Sequence, residues 1–441
     1  MSFLHSPGSL RVCAGILFTA MFAAGSAFAG TSCVNPQGSH GCFDKIQDAI
    51  NAASPGDTIN VEAGTYYESL VIQKSLSLIG AGLADTIIDA NNNGAGINVD
   101  GMMGADLSHL GGTYLSDVTI SGFKVQHAET QGILVTNASN VTISENHVHH
   151  NNQGLDPSGP TCSGLPVYFQ IGESFDCGEG IHLSGVSNSY VLNNISENNA
   201  GGILLSDDTG QTHDNLVMGN TVRLNGPDCG ITLASHNINV TYTPPTPGVY
   251  GNLILGNIST ENALGGGDGA GVGIFAAAPG AMSTGNTIAY NTLTKNGLPG
   301  VTMHAHAPGQ SLDGNLIIGN TISGNHADTD APTSGPTGIV VWSAVVPVNG
   351  LVILNNAISR EDIDISIAAE GSFTMHQNSL LGETGVENQI GSNAVVNASN
   401  NWWGCKQGPG EANCSDVSGN VTYTPWLTRS PLLPEPQGPD H

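Results

Sequence analysis

The sequence predicts an all-β protein: a single-stranded right-handed parallel β-helix with three short strands per coil and an N-terminal capping helix. Two observations carry this prediction. A glycine followed by alternating apolar residues recurs along the chain, and asparagines recur at fixed positions within the same unit. The spacing of the unit fits a basic coil of roughly 22 to 24 residues with insertions.

Each repeat begins with a glycine and a short strand, as in Gly202-Ile-Leu-Leu and Gly230-Ile-Thr-Leu. An apolar period of two is typical of a strand with one buried face. A second and a third strand follow, as in Asn215-Leu-Val-Met and Asn220-Thr-Val. We identify these repeat glycines: Gly132, Gly180, Gly202, Gly230, Gly273, Gly300 and Gly338.

Asparagines recur in register at two turn positions of the repeat. The first set is Asn146, Asn194, Asn220, Asn257, Asn291, Asn320 and Asn356. The second set is Asn151, Asn199, Asn225, Asn262, Asn296 and Asn325. Stacked asparagines can hydrogen-bond to one another and to the turn backbone across coils about 4.8 Å apart, so we interpret both sets as structural ladders.

The ends of the chain indicate how it is organised. Residues 1–29 contain an apolar run that ends in Ser26-Ala27-Phe28-Ala29, which predicts a secretory signal peptide. We expect the N-terminal cap and first coils in residues 30–115 and the β-helix repeats with loop insertions in residues 116–400. A C-terminal cap and tail would follow in residues 401–441.

Seven cysteines follow the signal peptide, and six of them lie in close pairs. We predict the disulfides Cys33–Cys42, Cys162–Cys177 and Cys405–Cys414, which need an oxidising compartment and so a secreted or periplasmic protein. Cys229 is left over. We interpret it as a buried unpaired thiol, with a catalytic or metal-binding thiol as the alternative.

The charge balance excludes several classes of partner. Only nine Lys and Arg stand against 36 Asp and Glu, for a formal net charge of -27. Such a field repels nucleic acid and anionic membrane surfaces, and a neutral glycan suits it better than a polyanionic one. No segment after the signal peptide is long and apolar enough to span a bilayer, and we expect a monomer.

Alignment on the repeat glycines sorts side chains into columns. Residues one and three positions after the glycine should point inward, and residues two and four positions after it should point outward. The outward columns are His182, Leu204, Thr232, Phe275, Thr302 and Val340, then Ser184, Ser206, Ala234, Ala277, His304 and Trp342. His182, Phe275 and Trp342 are therefore candidates for contacts with a sugar, although a loop could equally cover this face.

Insertions flank the same sheet and carry acidic residues. Those on its entering side are Asp156, Asp176, Glu179, Asp228, Asp268, Asp328 and Asp330. Long loops beside one face form a groove, which adds Asp228 and Asp268 to the substrate-binding candidates. These loops could also bind calcium, and no other cofactor is expected.

The candidate catalytic residues are Asp207, Asp208, His236, His304 and His306. Carboxylates beside histidines suit acid and base work on a glycosidic bond or a sugar C5 proton. Asp208, His236 and His306 each stand six residues beyond a repeat glycine, so we expect them to stack, with Asp208 next to His236. Alternatively, the aspartate pair only stabilises a turn, and His304 and His306 are solvated side chains on the surface.

A denser run of histidines lies elsewhere in the repeat. His147, His149 and His150 are close in sequence, and His149 shares its register with Glu197 and Arg223. We interpret this column as a surface charge ladder rather than a metal site.

The opening and the end of the chain resemble those of pectin-lyase-like proteins. Phe43, Ile46, Ala49 and Ile50 have helical spacing, a first coil follows them, and Asn401-Trp-Trp-Gly stands near the far end. The resemblance covers nearly all of the mature chain and includes the periplasmic copper-enzyme maturation type. It implies a parallel β-helix with a capped N-terminal end.

The resemblance implies function only by class, because such proteins include lyases, hydrolases, epimerases, esterases and non-catalytic adhesins. The Gly-His-Gly and Arg-Ile-Lys motifs of polygalacturonases are absent, and Asp156-Pro157 continues with Ser158 where mannuronan epimerases carry His. We expect a secreted carbohydrate-active lyase, epimerase or glycoside hydrolase acting on a polysaccharide or oligosaccharide. The alternatives are a non-catalytic glycan-binding or adhesion β-helix and a periplasmic accessory protein for metal-enzyme maturation.

Overall fold

The computed structural model describes residues 29–103, 115–152, 163–166, 176–236, 248–264, 269–331 and 333–431. These residues wind into a right-handed parallel β-helix whose coils contribute one strand to each of three long parallel sheets. The predicted signal peptide and Cys162 lie outside the described residues. Within them, no helix has the length and apolar character needed to cross a membrane.

The strands of the three sheets alternate along the chain. The repeat-glycine sheet consists of Leu70–Ile72, Ile97–Asp100, Ile133–Thr136, Ile181–Ser184, Ile203–Ser206, Ile231–Ser235, Val272–Ala276, Val301–Ala305, Thr337–Ser343, Ile363–Ala368, Thr384–Asn388 and Asp416–Ser418. The second sheet consists of Thr31–Val34, Asp57–Val61, Leu76–Gly80, Leu115–Ser121, Ala138–Ser144, Tyr190–Leu192, Leu216–Met218, Leu253–Leu255, Thr287–Ala289, Leu316–Ile318, Val348–Leu354, Gly371–His376, Ala394–Asn397 and Val421–Thr422. The third sheet consists of Gly64–Tyr66, Thr86–Asp89, Lys124–Gln126, His147–His149, Ile195–Glu197, Thr221–Arg223, Ile258–Thr260, Thr292–Thr294, Thr321–Ser323, Ala357–Ser359 and Ser379–Leu380. A small sheet consists of Thr212–His213, Val249–Tyr250 and Ser283–Thr284, and a single 3₁₀ turn spans Gly391–Asn393.

An α-helix, Ile46–Ala52, closes the N-terminal end of the core as predicted. Its apolar face is buried, and the Glu68 carboxylate accepts the backbone N–H groups of Ile46 at 2.8 Å and Gln47 at 3.0 Å. These bonds satisfy donors that a helix start leaves without partners, and they place a negative charge at the positive end of the helix dipole. Phe43 precedes the helix, because its backbone pairs with Val34.

The opposite end of the core is covered by the Asn401-Trp-Trp-Gly segment. Trp403 is fully buried and meets Tyr423 edge-on, with ring centroids 6.4 Å apart. Asn401 accepts a hydrogen bond from Asn378 at 3.0 Å and so ends the first asparagine ladder. The motif therefore terminates both the apolar core and the polar ladder.

Both predicted asparagine ladders are confirmed. Asn220 shows the pattern: its amide nitrogen donates to Asn257 Oδ1 and to the backbone oxygen of Val191, both at 2.9 Å. Its oxygen accepts the side-chain and backbone N–H groups of Asn194. Each buried amide thus bonds to the coil before it and the coil after it, which fixes the coil-to-coil register.

A third ladder was not anticipated. Asn215, Asn252, Asn286 and Asn315 are buried and bond successively at 2.8 to 3.1 Å through side-chain and backbone N–H donors. The sequence signal was an asparagine immediately before each second strand.

Two of the predicted disulfides, Cys33–Cys42 and Cys405–Cys414, are present. Cys177 is also disulfide-bonded, but Cys162 lies outside the described residues, so that pairing stays a prediction. Cys229 is buried and is not part of a disulfide, as interpreted from the sequence. It packs against Ala270 and Leu298, and burial raises the pKa of its thiol well above the ordinary range. These properties favour a structural side chain.

We expect Asn220→Ala or Asn291→Ala to lower the free energy of unfolding by about 1 to 3 kcal/mol, because each change leaves buried backbone groups without partners. Chemical denaturation measures the effect. Asn349→Ala is the matched control, since Asn349 is exposed and outside the ladders. Unchanged stability in both ladder variants would contradict a structural role for the ladders.

The second ladder ends at a carboxylate. Asn325 donates its side-chain amide to Glu361 Oε1 at 2.9 Å. Burial raises the pKa of Glu361 to about 7, although hydrogen bonds from Asn325 oppose the rise. The folded protein therefore holds this proton more tightly than the unfolded chain, whose Glu has an ordinary pKa of 4.5.

This difference predicts a stability that falls as the pH rises from about 4.5 to 7, because ionising Glu361 costs the folded state free energy. Glu361→Gln removes the ionisation and keeps a side chain that can accept from Asn325. Urea denaturation across this pH range should show a shallower decline for Glu361→Gln, whereas Glu383→Gln, at an exposed position, should follow the parent. Parallel profiles for Glu361→Gln and the parent would refute the assignment.

Candidate functional site

The strands of the repeat-glycine sheet stack as the glycine alignment predicts through the first coils of the candidate site. His182 lies opposite Leu204, and Leu204 lies opposite Thr232. The neighbouring Ile181 and Leu183 point into the apolar core. Equal offset from the repeat glycine therefore means vertical stacking here, and the outward columns are assigned correctly for these coils.

The next coil corrects the alignment. Val272 pairs with Ile231, so the repeat glycine of this coil is Gly271 rather than Gly273. Phe275 consequently lies four residues after its glycine and not two. A shift of two residues keeps the same side chains on the outer face, so alternation alone could not separate the two registers.

The outer face is buried at one end and open at the other. His182, Asp208 and His236 are each at most 1% exposed. Phe275 and Trp342, further along the sheet, are only partly buried. The sequence allowed either a covered face or a face that offers aromatic rings to a ligand. The structure has both: the end at His182 is covered, and the end at Phe275 and Trp342 is open.

The His236 cluster, which we define as Asp176, Glu179, His182, Asp208 and His236, lies at the buried end. His236 Nδ1 is 3.0 Å from Asp208 Oδ1, and His236 Nε2 is 3.1 Å from Asp176 Oδ2. The predicted stacking of Asp208 beside His236 is confirmed. The imidazole is held between two carboxylates, an arrangement that fixes its orientation.

A second histidine reaches the same carboxylate through a hydroxyl. Ser206 donates its hydroxyl proton to Asp208 Oδ2 and lies 2.8 Å from His182 Nε2. On the far side of the ring, His182 Nδ1 is 3.8 Å from Glu179 Oε2. The five charged or ionisable side chains thus form one connected network under the outer face.

Asp207 supports the network without joining it. Its carboxylate accepts the backbone N–H groups of His236 and Gly248 and the hydroxyl of Ser235, all at 2.7 Å. Burial raises the pKa of Asp207 despite the favourable charge of His236. These contacts bind the turn to the next coil, which agrees with the turn interpretation of this residue.

The protonation states in the cluster follow from burial and neighbouring charge. Burial alone would raise the pKa of Asp208, but the charge and hydrogen bond of His236, together with the nearby His182, outweigh it and hold the pKa below the usual range. Burial lowers the pKa of His182. For Glu179, burial and then the charges of Asp176 and Asp228 raise the pKa well above the usual range.

The His304 cluster, which we define as His304, His306, Asp328, Asp330 and Trp342, lies at the open end. His304 Nε2 is 2.9 Å from Asp328 Oδ2, and His304 Nδ1 is 3.9 Å from Asp330 Oδ2. One ring nitrogen from each of His304 and His306 and one carboxylate oxygen of Asp330 lie within 4.8 Å of one another. The Asp330 side chain is 61% exposed, so solvent reaches this cluster.

Asp328 is held in place by its own turn. Its Oδ1 accepts the backbone N–H groups of Asp330 and Ala331, and the Thr302 hydroxyl donates to its Oδ2 at 2.6 Å. Burial would raise its pKa, but the hydrogen bond and charge of His304 lower it below the usual range. The Asp328 carboxylate orients the His304 ring so that Nε2 faces Asp328 and Nδ1 faces Asp330.

Aromatic side chains surround His304. Its ring meets Phe275 edge-on at a centroid separation of 5.7 Å and Trp342 at 5.4 Å. His306 lies 5.0 Å from Trp342 and 5.5 Å from His304. His306 therefore belongs with His304 and Trp342, as part of a different cluster from Asp208 and His236.

Several important residues were missed as candidates. Asp328, Asp330, Asp176 and Glu179 were noticed only as loop carboxylates, although each lies close to a candidate histidine. The sequence feature that could have identified them is their position in the insertions on the entering side of the sheet. Asp268 lies outside the described residues, as does Asp156.

The histidine run on the third sheet has the predicted register. His149 pairs with Glu197 in the register, and Glu197 pairs with Arg223. The close contact to Glu197 Oε1, however, is made by His147 Nε2 at 2.9 Å. Burial, followed by the charges of His147 and His150, lowers the pKa of His149 to about 4.

Comparison with known families supports the fold. Residues 86–246 match the model of the right-handed β-helix region, and residues 171–346 match the model of the periplasmic copper-binding protein NosD. No curated protein sequence matches the chain. Each family match covers less than half of the 441 residues.

Solved structures give the same architecture. The A-module of the Azotobacter vinelandii mannuronan C-5 epimerase AlgE4 is 17% identical, with a TM-score of 0.50 over 87% of this chain and 94% of that one. The catalytic domain of a GH87 α-1,3-glucanase in complex with nigerose is 14% identical, with a TM-score of 0.55 over 87% and 66%. The Dettilon tailspike protein is 13% identical, with a TM-score of 0.53 over 82% and 62%.

The described residues form a right-handed parallel β-helix whose repeat-glycine sheet carries polar clusters on its outer face. The β-helix model matched by residues 86–246 and the similar solved structures have this same fold. At such low identities the likeness establishes the fold and leaves the chemistry to the residues of this chain.

Proposed function

We propose that this protein is a carbohydrate-active enzyme that works by acid and base chemistry at the His304 cluster. The observation that carries the proposal is the His304–Asp328 pair, joined at 2.9 Å beside the partly buried Trp342 and the exposed His306 and Asp330. A carboxylate that orients an imidazole, here with the second nitrogen 3.9 Å from the exposed Asp330 carboxylate, is a common arrangement for a general base.

The open end of the sheet offers a surface for a sugar. The partly buried Phe275 and Trp342 stand two coils apart there, which corresponds to about 10 Å. Phe275 and Trp342 offer aromatic faces on which a sugar ring can stack. The shortage of basic side chains favours a neutral polysaccharide or oligosaccharide over a polyuronate.

The reaction belongs to the lyase, epimerase or glycoside hydrolase class. His304 Nδ1 would accept or return a proton, and the exposed Asp330 carboxylate, 3.9 Å from Nδ1, would act as the partner acid or base. The epimerase and the α-1,3-glucanase among the similar structures are carbohydrate enzymes, which supports the class without selecting the reaction. The disulfides Cys33–Cys42 and Cys405–Cys414 favour work in an oxidising compartment, either secreted or periplasmic.

A second candidate function is transition-metal binding by the same residues. The match to the periplasmic copper-binding protein model covers residues 171–346 and so includes His304, His306 and Asp330. Two imidazoles and one carboxylate form a donor set suited to copper, and Asp328 supports His304 as outer carboxylates support metal-bound histidines. Metal binding would agree with the alternative function of a periplasmic accessory protein for metal-enzyme maturation.

A glycan screen tests the enzyme proposal. The purified protein is incubated with neutral and acidic glycans, with and without a chelator, and new reducing ends, unsaturated products and epimerised sugars are measured. His304→Ala and Asp328→Asn should lower turnover by about 100-fold or more, since a general base contributes 10² to 10⁴. His326→Ala, at an exposed histidine nearby, is the matched control.

The same preparation tests the alternatives. If His304→Ala and Asp328→Asn fold and retain full turnover, the proposed centre is wrong, and Asp208→Asn with His236→Ala tests the buried pair as the catalytic centre instead. Absence of any turnover, together with copper binding that His306→Ala abolishes, would favour the metal-binding function.

A further inference from the structure

Three carboxylates meet on the entering side of the repeat-glycine sheet, apart from the His304 cluster. One oxygen from each of Asp176, Glu179 and Asp228 lies within 4.8 Å of the other two. Asp176 and Glu179 are buried, and Asp228 is partly buried. Carboxylates this close repel one another strongly in a buried position, so something must balance their charge.

The protein groups around Glu179 do not balance its negative charge. It is fully buried, and neither of its carboxylate oxygens has a hydrogen-bond partner among the described residues. The nearest basic nitrogen, His182 Nδ1, stays 3.8 Å away. A buried carboxylate without hydrogen-bond donors is costly, and proteins usually resolve this cost by protonation or by binding a cation.

The backbone leaves room between the carboxylates. Glu179 and Asp228 come from coils on either side of the coil that contains Gly201. A Cβ atom added to Gly201 would lie 3.1 Å from Asp228 Oδ2 and 3.3 Å from Glu179 Cγ. Any other residue at position 201 would therefore crowd the space that the two carboxylates face.

Separations of up to 4.8 Å between the three oxygens are compatible with a calcium ion between them. Ligand oxygens around calcium lie at 2.3 to 2.6 Å from the ion, so two of them can be about 5 Å apart. Magnesium binds at 2.0 to 2.1 Å and requires closer oxygens. An all-oxygen set also suits a hard cation better than copper or zinc.

We infer that Asp176, Glu179 and Asp228 form a calcium site that ties the coil beginning at Gly180 to the coil beginning at Gly230, across the coil beginning at Gly202. The ion replaces the missing donors of Glu179 and neutralises the acidic edge of the His236 cluster. The inference does not depend on the proposed function, because the three residues lie outside the His304 cluster.

Calcium titration of the full protein tests this inference. After dialysis against EGTA, isothermal titration with CaCl₂ should show one saturable site that depends on Glu179, and calcium should raise the thermal midpoint by mass action. MgCl₂ and ZnCl₂ titrated in parallel should bind more weakly at this site. Elemental analysis of protein re-equilibrated with calcium gives the stoichiometry.

Variants locate the site. Glu179→Gln should weaken calcium binding by about tenfold or more, because it removes one of the three ligand charges. Gly201→Ala should also weaken binding, because the new methyl group crowds the site. Glu383→Gln, the same change at an exposed carboxylate, should bind calcium like the parent.

The results distinguish a Glu179 that is stabilised by calcium from a Glu179 that is stabilised by protonation. Folded parent protein that shows no calcium binding would overturn the site and leave a protonated Glu179 as the explanation. Calcium binding that Glu179→Gln does not weaken would also overturn it. If Glu179→Gln does not fold, the parent titration and Gly201→Ala still decide the question.

Discussion

The stacked asparagines are the interaction on which the rest of this structure depends. Each ladder amide, such as Asn220, bonds forward to the next coil and backward to the backbone of the previous one. A parallel β-helix has few other ways to prevent one coil from sliding over the next, because its apolar core is similar from coil to coil. The ladders fix the register, and the register decides which outward side chains become neighbours.

That register produces two polar clusters of different character on one sheet. In the His236 cluster the side chains are almost fully buried, and Asp208 contacts both a histidine and a serine hydroxyl. In the His304 cluster a buried Asp328 supports His304, while His306 and Asp330 remain exposed. The first arrangement suits holding coils together, and the second suits contact with a ligand.

Both clusters contain acidic residues, in keeping with a net charge of -27. The buried carboxylates of Asp328, Asp207 and Glu361 are stabilised in different ways. Asp328 uses an imidazole, a hydroxyl and two backbone N–H groups, whereas Asp207 uses two backbone N–H groups and one hydroxyl. Glu361 keeps its proton to near-neutral pH because the ladder amide of Asn325 offers it too little compensation for burial.

The sequence by itself determined the β-helix, the inward and outward columns, two asparagine ladders and the contact between Asp208 and His236, because each depends on a fixed offset within a repeat. It could not choose between Gly271 and Gly273, since a shift of two residues preserves alternation. Only the tertiary structure placed Asp328 beside His304 and Glu179 near Asp228, because the lengths and paths of insertions follow no repeat. Burial, which separates the two clusters, likewise depends on contacts between coils distant in sequence.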